Sequence, residues 1–208
     1  MRAALVLVVL MLLIVCPMAM AQYEGDGKTF SLSAGLYRPI NSNMREVVGS
    51  NWLNGNIAYK LSSTDSVDQV IQVGLITKNG PTLPLSTLGL TDTGTFNLKP
   101  RIIPVTYTYL AKPRSDTSRI YYGVGVGAYF CKTKMTGATG GEIPTPFSLE
   151  NSDTIAGAHA LAGIQLSDTI SAELRYTHLF GDLEVSDAQS PLFKESLDGV
   201  SLNIIGVF

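Results

Sequence analysis

The sequence predicts an all-β fold, an eight-stranded antiparallel up-and-down transmembrane β-barrel, and three observations carry that prediction. The chain closes on a strand that sets Val200, Leu202, Ile204, Gly206 and the terminal Phe208 against Ser201, Asn203, Ile205 and Val207. Side chains in a strand alternate between faces, so one face can meet lipid while the other meets a polar lumen. Eight such segments recur along the chain, joined by links that are alternately short and long. No outward face carries Lys, Arg, Asp or Glu near its middle, where a Lys or Arg would cost about 2–4 kcal/mol at bilayer mid-depth.

The N-terminus reads as a cleaved signal peptide over residues 1–21. Arg2 supplies a positive start, Ala3 to Cys16 is almost wholly apolar, and Ala19-Met20-Ala21 gives the small-x-small cleavage pattern. Val15 before Cys16 and Pro17 after it do not make a lipoprotein signal. The barrel domain then spans residues 22–208. Loss of Arg2 makes the net charge of −2 one unit more negative, so no nucleic-acid partner is expected. Cys131 is left as the single mature cysteine, which excludes an internal disulfide.

Each strand follows from its own alternation. Residues 28–38 set Phe30, Leu32, Ala34 and Leu36 against Ser31, Ser33 and Tyr37. Residues 51–61 set Leu53, Ile57 and Tyr59 against Asn54, Asn56 and Lys60. Residues 67–77 carry Ile71, Val73 and Leu75 and have the least polar inner side. Residues 101–111 oppose Ile103, Val105, Tyr107 and Tyr109 to Thr106 and Thr108. Residues 119–131 place Ile120, Tyr122, Val124, Val126, Ala128 and Phe130 outside, with Tyr121, Gly123, Gly125, Gly127 and Tyr129 inside. Residues 154–166 set four alanines and Ile164 against His159 and Gln165. Residues 169–180 oppose Ile170, Ala172, Leu174, Tyr176 and Phe180 to Ser171, Glu173, Arg175 and Thr177, and residues 198–208 close the ring.

The short links, residues 62–66, 112–118 and 167–168, fall on one side. The long ones, 39–50, 78–100, 132–153 and 181–197, fall on the other, as short periplasmic turns and long outer loops do. The aromatic residues sort by strand direction. Phe30, Tyr59, Tyr107, Tyr109, Tyr122 and Phe208 fall at the periplasmic rim, and Phe130, Tyr176 and Phe180 at the outer rim. Such belts mark the two headgroup levels of a membrane.

On these residues the chain resembles the small outer-membrane β-barrels: the OmpA-type membrane domain, OmpX-like proteins and the outer membrane protein W family. The matching stretches are the Ala19-Met20-Ala21 site, Tyr121 to Tyr129, Ala172-Glu173-Leu174-Arg175-Tyr176, and Val207-Phe208. The resemblance implies the outer membrane of a Gram-negative bacterium. It implies as partners the outer-membrane lipid and lipopolysaccharide, and the barrel-assembly machinery reading a terminal signal at Phe208, Gly206, Ile204 and Leu202.

Several motifs bear on function. Gly123 to Ala128 fits a dinucleotide template, but Tyr129, Phe130 and Cys131 continue a strand where that template needs a helix; the glycines instead leave inner space for neighbours such as Tyr121 and Tyr129. Glu173 and Arg175, with His159, Lys60, Asn203 and Gln165, form a lumen polar cluster expected to fill a barrel barely wide enough for side chains. Arg175-Tyr176-Thr177-His178 resembles the histidine-bearing strand of outer-membrane lipid A deacylases. There a serine two residues further on acts as nucleophile; here that position is Phe180, so no enzyme and no cofactor are expected. Asp187, Glu195 and Asp198 are acids that could take divalent cations, although solvated loop acids are far commoner, and no metal site is assigned.

The second outer link is apolar, with Leu83, Leu85, Leu88, Leu90 and Phe96, and could gate access or simply pack. The expected function is a structural role or narrow transport of small, hydrophobic solutes. The alternatives are a surface interaction protein working through its long loops and, third, a lipid-modifying enzyme.

Overall fold

The computed structural model describes residues 30–64, 66–88, 93–111, 119–141, 143–186 and 191–208. Residues 1–21, expected as a signal segment, lie outside them. The elements run β1 (Phe30–Pro39), α1 (Ser42–Val48), β2 (Trp52–Ser63), β3 (Val67–Thr77), β4 (Thr82–Pro84), a 3-10 turn (Leu85–Leu88), β5 (Thr95–Ala111), β6 (Ile120–Ala138), β7 (Pro146–Gln165), β8 (Ile170–Leu179), β9 (Asp182–Ser186), β10 (Pro191–Ser196) and β11 (Gly199–Val207).

Eight of these strands form a closed antiparallel ring in the order β3-β2-β1-β11-β8-β7-β6-β5, with β5 pairing back to β3. The join between the first and last strands is continuous from Ser31↔Val207 to Pro39↔Gly199. The backbone of Phe208 extends it, donating to the Phe30 carbonyl at 2.8 Å. Closure leaves no unpaired strand edge for lipid to meet, which a sheet in hydrocarbon requires.

The outward faces are those the alternation predicts. Leu53, Val124, Val126 and Leu202 are each at least 60% exposed, as groups facing lipid must be. The rings of Phe30 and Tyr59 meet tilted at 4.8 Å, and those of Tyr107 and Tyr109 edge-on at 5.2 Å, on the periplasmic side of the belt. On β6 the apolar outward series runs from Ile120 to Phe130. At about 3.4 Å per residue and a tilt of about 45°, that spans about 24 Å of height, the thickness of an outer-membrane apolar band.

Beyond the belt the structure departs from the expected loops. β5 starts at Thr95, β6 runs to Ala138 and β7 starts at Pro146, so most of the residues expected as a loop over 132–153 form a tall hairpin. The alternation simply continues into water: Cys131, Thr133 and Met135 point inward, while Lys132 and Lys134 point outward. The other long links also carry structure. Asn41 caps α1, its side-chain oxygen accepting from Asn43 N at 2.9 Å and Met44 N at 3.3 Å. Gly49 ends α1 at φ 99°, a conformation that favours glycine. β9 and β10 pair with each other as a separate hairpin.

Candidate functional site

The barrel interior is divided into two layers. Toward the outside lies an apolar cap. Met44 and Val48 of α1, Trp52, Tyr37, Phe96, Leu98, Ile102, Met135, Leu183 and Leu197 are each no more than 2% exposed. Tyr37 donates to the Leu197 carbonyl, and the Trp52 indole donates to Gly49 O at 2.8 Å. The polar handles of both rings are thus satisfied inside an apolar layer, where an unmet donor costs about 1–3 kcal/mol. The helix exists because this layer exists: a seven-residue helix is not stable in water by propensity alone, and burial of one face supplies what it lacks.

Beneath the cap lies a polar layer. Glu173 and Arg175 lie on the same inward face of β8, and Arg175 Nε and Nη2 both donate to Glu173 Oε1, at 3.0 and 2.9 Å. Arg175 Nη1 donates to Gln72 Oε1 at 2.7 Å. Gln72 belongs to β3, four strands away in an eight-strand ring, so this side chain crosses the lumen to the opposite wall. Asn54 Nδ2 donates to Asn203 Oδ1 at 2.8 Å, and Asn203 Nδ2 to Ser201 Oγ at 3.2 Å. The Asn54–Asn203 bond passes over β1 at Gly35, where a Cβ would lie 2.4 Å from Asn203 Oδ1. His159 Nε2 and Thr108 Oγ1 are 2.9 Å apart.

The expected cluster is therefore brought together in part. Glu173, His159 and Asn203 are buried inside the barrel, and Arg175 is partly buried beside them. Glu173 and Arg175 pair with each other, because two residues apart on one face lets the fork of the arginine fold back, and Glu173 also takes a hydrogen bond from Asn203 of the adjoining β11. Gln165 is exposed at the strand end, outside the network, since β7 reaches the periplasmic rim there. Lys60 is half-buried near the same rim, beside a bulge between Lys60 and Ser62. Gln72, Asn54, Thr108 and Ser201 are the members not singled out as cluster residues. Gln72 lies on the strand whose inner side reads as least polar, and only the ring closure sets it opposite Arg175.

The inner glycines also serve other neighbours than expected. A Cβ on Gly125 would lie 2.5 Å from the His159 ring, so this glycine makes room for the imidazole. Tyr121 and Tyr129 instead sit over Gly163 and Gly157 of β7.

Leu85 and Phe96 of the second outer link are buried in the cap, and Leu83 and Leu88 pack against it. Leu90 lies outside the described residues. Of the terminal-strand positions, Leu202, Ile204 and Phe208 are exposed on the lipid-facing side. Gly206 shares their register.

His178 is half-exposed at the outer rim. Its Nδ1 lies 2.7 Å from Asp198 Oδ2, and its ring meets Phe180 edge-on at 5.2 Å. Asp198 Oδ1 also accepts from Leu179 N at 2.9 Å. Glu195 accepts from Asn41 Nδ2 at 2.5 Å and Asn43 Nδ2 at 2.8 Å. These two acids are engaged in separate contacts; Asp187 lies outside the described residues. No group of three metal-binding side chains occurs among the described residues.

A closed ring of eight antiparallel strands, apolar outside and filled with side chains inside, is the fold of the small outer-membrane β-barrels. The attachment invasion locus protein Ail of Yersinia pestis superposes with a TM-score of 0.50, at 12% identity, over 86% of this chain and 96% of that one. The N-terminal β-barrel domain of Pseudomonas aeruginosa OprF gives a TM-score of 0.47 at 10% identity, over 86% and 97% of the two chains. Neisserial surface protein A gives 0.43 at 12% identity, over 89% and 100%. No family model matches the sequence, and no curated protein matches it.

Proposed function

We propose that the protein is a structural, non-enzymatic barrel of a Gram-negative outer membrane whose lumen is closed to solutes. The observation that carries this reading is Arg175, which is tied to Glu173 on one wall and to Gln72 on the wall opposite. A bridge through the polar layer, under a cap of mutually buried apolar groups, leaves the interior filled by side chains, in keeping with the width of an eight-stranded barrel. The apolar second link supports packing over gating, because Leu85 and Phe96 face into the cap. The terminal strand carries the signal for the barrel-assembly machinery, with Phe208 exposed beside the strand join. Absence of a hydroxyl at Phe180 supports the non-enzymatic reading, as His178 and Asp198 have no nucleophile at the family position.

Planar-bilayer recording tests this. Folded protein is expected to give no steady conductance and liposomes carrying it no solute-dependent swelling; a stable open level in the wild type would overturn the closed-lumen reading.

A second reading, surface interaction, is favoured by one observation. The β6–β7 hairpin stands above the belt and presents Ile143 at its tip, 84% exposed. Isolated apolar groups are ordinary on surfaces, but one held out at the end of a tall hairpin is placed for contact. Cell-binding assays with Ile143→Asp test it, loss of attachment being the expected result if the tip is the contact.

A further inference from the structure

The tall β6–β7 hairpin leaves one strand edge without a neighbour. β7 pairs with β6 along its length from Pro146 to Ile164, but with β8 only from Gly157 to Gln165. Two backbone bonds fix which groups face the open side. Phe180 N donates to the Ala156 carbonyl at 2.9 Å, toward β8, and Thr139 N to the Thr145 carbonyl at 3.0 Å, toward β6. Backbone groups alternate direction along a strand, so Ser148, Glu150, Ser152 and Thr154 turn N–H and C=O to the open side. Among the described residues one of these groups has a partner there: Ser152 N donates to the Asn151 side chain at 2.9 Å. The opposite edge of the same sheet is covered, since β4 pairs with β5 over Thr95–Asn97. β9 does not cover this one. Asn151 shares its inward parity with Leu149 and Ile155 and donates to the Glu184 carbonyl, so β9 lies against the inner face, where Leu183 is buried in the cap.

Exposed edges are ordinarily guarded by a proline, a bulge or an unpaired charge. From Phe147 to Ile155 this edge has no proline and no bulge. Its outward charge, Glu150, is taken by Lys132 at 2.7 Å, and the Asp153 carboxylate accepts from Asn151 Nδ2 at 3.0 Å. Thr154 stands opposite Phe130, at the top of the apolar belt. The open edge thus begins where the hydrocarbon ends, and it faces water.

We infer that the Ser148–Thr154 edge of β7 takes up an extended, acid-poor segment of another protein as an added strand. The edge selects a polypeptide, because its donors and acceptors repeat every second residue, about 6.8 Å, and a main chain in strand conformation matches that row. Glu150 and Asp153 select against acids, since like charges directly opposed on paired strands destabilise the pairing. A second copy of this chain does not fit. Two copies in one membrane run β7 in the same direction, and the bonds of a parallel ladder are slanted, so no two-fold relates its strands. A copy in an apposed membrane would pair antiparallel, but over Ser148–Thr154 that sets two hydrocarbon surfaces about 14 Å apart at a tilt of about 45°. The two headgroup regions alone fill that gap. The hairpin, which continues past Ser148 to Ile143, would then enter the opposite bilayer. The inference rests on the surface-interaction reading above, and the test separates the edge from the tip.

Purified full-length protein folded in a neutral detergent is titrated with a fluorescein-labelled peptide of alternating threonine and valine with a central lysine. The comparison peptides are the same chain N-methylated on alternate residues and the same chain with glutamate for lysine. Anisotropy reads binding, and amide exchange by NMR reads its place. Folding is scored first by heat-dependent mobility on SDS gels; a wild type without that shift would overturn the barrel reading and the edge with it. The wild type is expected to bind the lysine peptide, with the Glu150 and Thr154 amides gaining protection, to bind the glutamate peptide more weakly, and to leave the N-methylated one free. Ser148→Pro/Thr154→Pro removes two edge N–H groups and no bond to β6. It should weaken binding about twenty-fivefold, at about fivefold per main-chain hydrogen bond. Ser148→Thr/Thr154→Ser, which changes the side chains and keeps those N–H groups, should bind as the wild type does, and so should Ile143→Asp. Should the double proline variant fail to fold, Ser148→Pro alone is expected to lose about fivefold. No binding by the folded wild type, equal binding by a folded proline variant, undiminished binding of the N-methylated peptide, or loss on Ile143→Asp alone would each overturn the inference. Protection of these amides that rises with protein concentration in the absence of peptide would make the occupant a second copy and overturn it equally.

Discussion

At Gly125 the β6 backbone passes so near the His159 imidazole that a Cβ would lie 2.5 Å from its Cε1 and 2.4 Å from the Tyr107 carbonyl. Gly125→Val should therefore destabilise the barrel by about 3 kcal/mol, through overpacking in a filled interior. Gly55 is the contrast: the nearest atom to its Cβ position is 3.6 Å away, so Gly55→Ala should shift the urea midpoint little. Arg175 gives a sharper test. Arg175→Met leaves Glu173, 4% exposed, without its cation, and breaking a buried pair this way costs about 3–5 kcal/mol. The double variant Arg175→Met/Glu173→Gln should recover much of that loss in the same unfolding assay. Above the membrane, the Glu150 carboxyl is held below its ordinary range, first by its hydrogen bond to Lys132 and then by the charges of Lys132 and Lys134. A depressed carboxyl adds what stability it has above its unfolded pKa and loses it as pH falls through the lowered folded value. Lys132→Gln should raise the Glu150 midpoint in a carbon-detected NMR titration; an unmoved midpoint would mean that the pair does not persist in solution.

Among the elements, the β6–β7 hairpin shows how far alternation alone reaches. The polar run after Phe130 reads as the start of a loop because lipid-facing apolar groups stop there. Yet Cys131, Thr133 and Met135 keep the inward parity, and the strand continues with water in place of lipid outside. Met135, 1% exposed, anchors that continuation in the cap. Met135→Asp should abolish hydrogen-exchange protection over residues 131–138 while residues 120–130 stay protected by the belt pairing. The short α1 depends on its cap in the same way: Asn41→Ala removes both the N-terminal cap and a tie to Glu195, and should cost about 1 kcal/mol. The alternation in the sequence carries no comparable sign of α1, because its seven residues become helical only where Met44, Val47 and Val48 find a surface to bury against.

For the whole molecule, the apolar exterior and the polar lower lumen make an inverted protein with a small conventional core at one end. Cys131 reports on that core, since it is 1% exposed within the cap and is the free cysteine among the described residues. Maleimide labelling should be slow in the folded protein and fast after denaturation; rapid labelling of folded protein would mean that the cap is open. The sequence by itself determined the strand number, the antiparallel order and which side of each strand meets lipid. Those follow from a period-two pattern under a solvent that rejects mid-depth charge, a constraint acting on each strand separately. What only the tertiary structure decided is what meets what across the interior: Arg175 with Gln72, Asn54 with Asn203, and the outer links folded into a cap. Such contacts depend on the stagger of the closed ring, and stagger is a relation among all eight strands that no single strand's pattern contains.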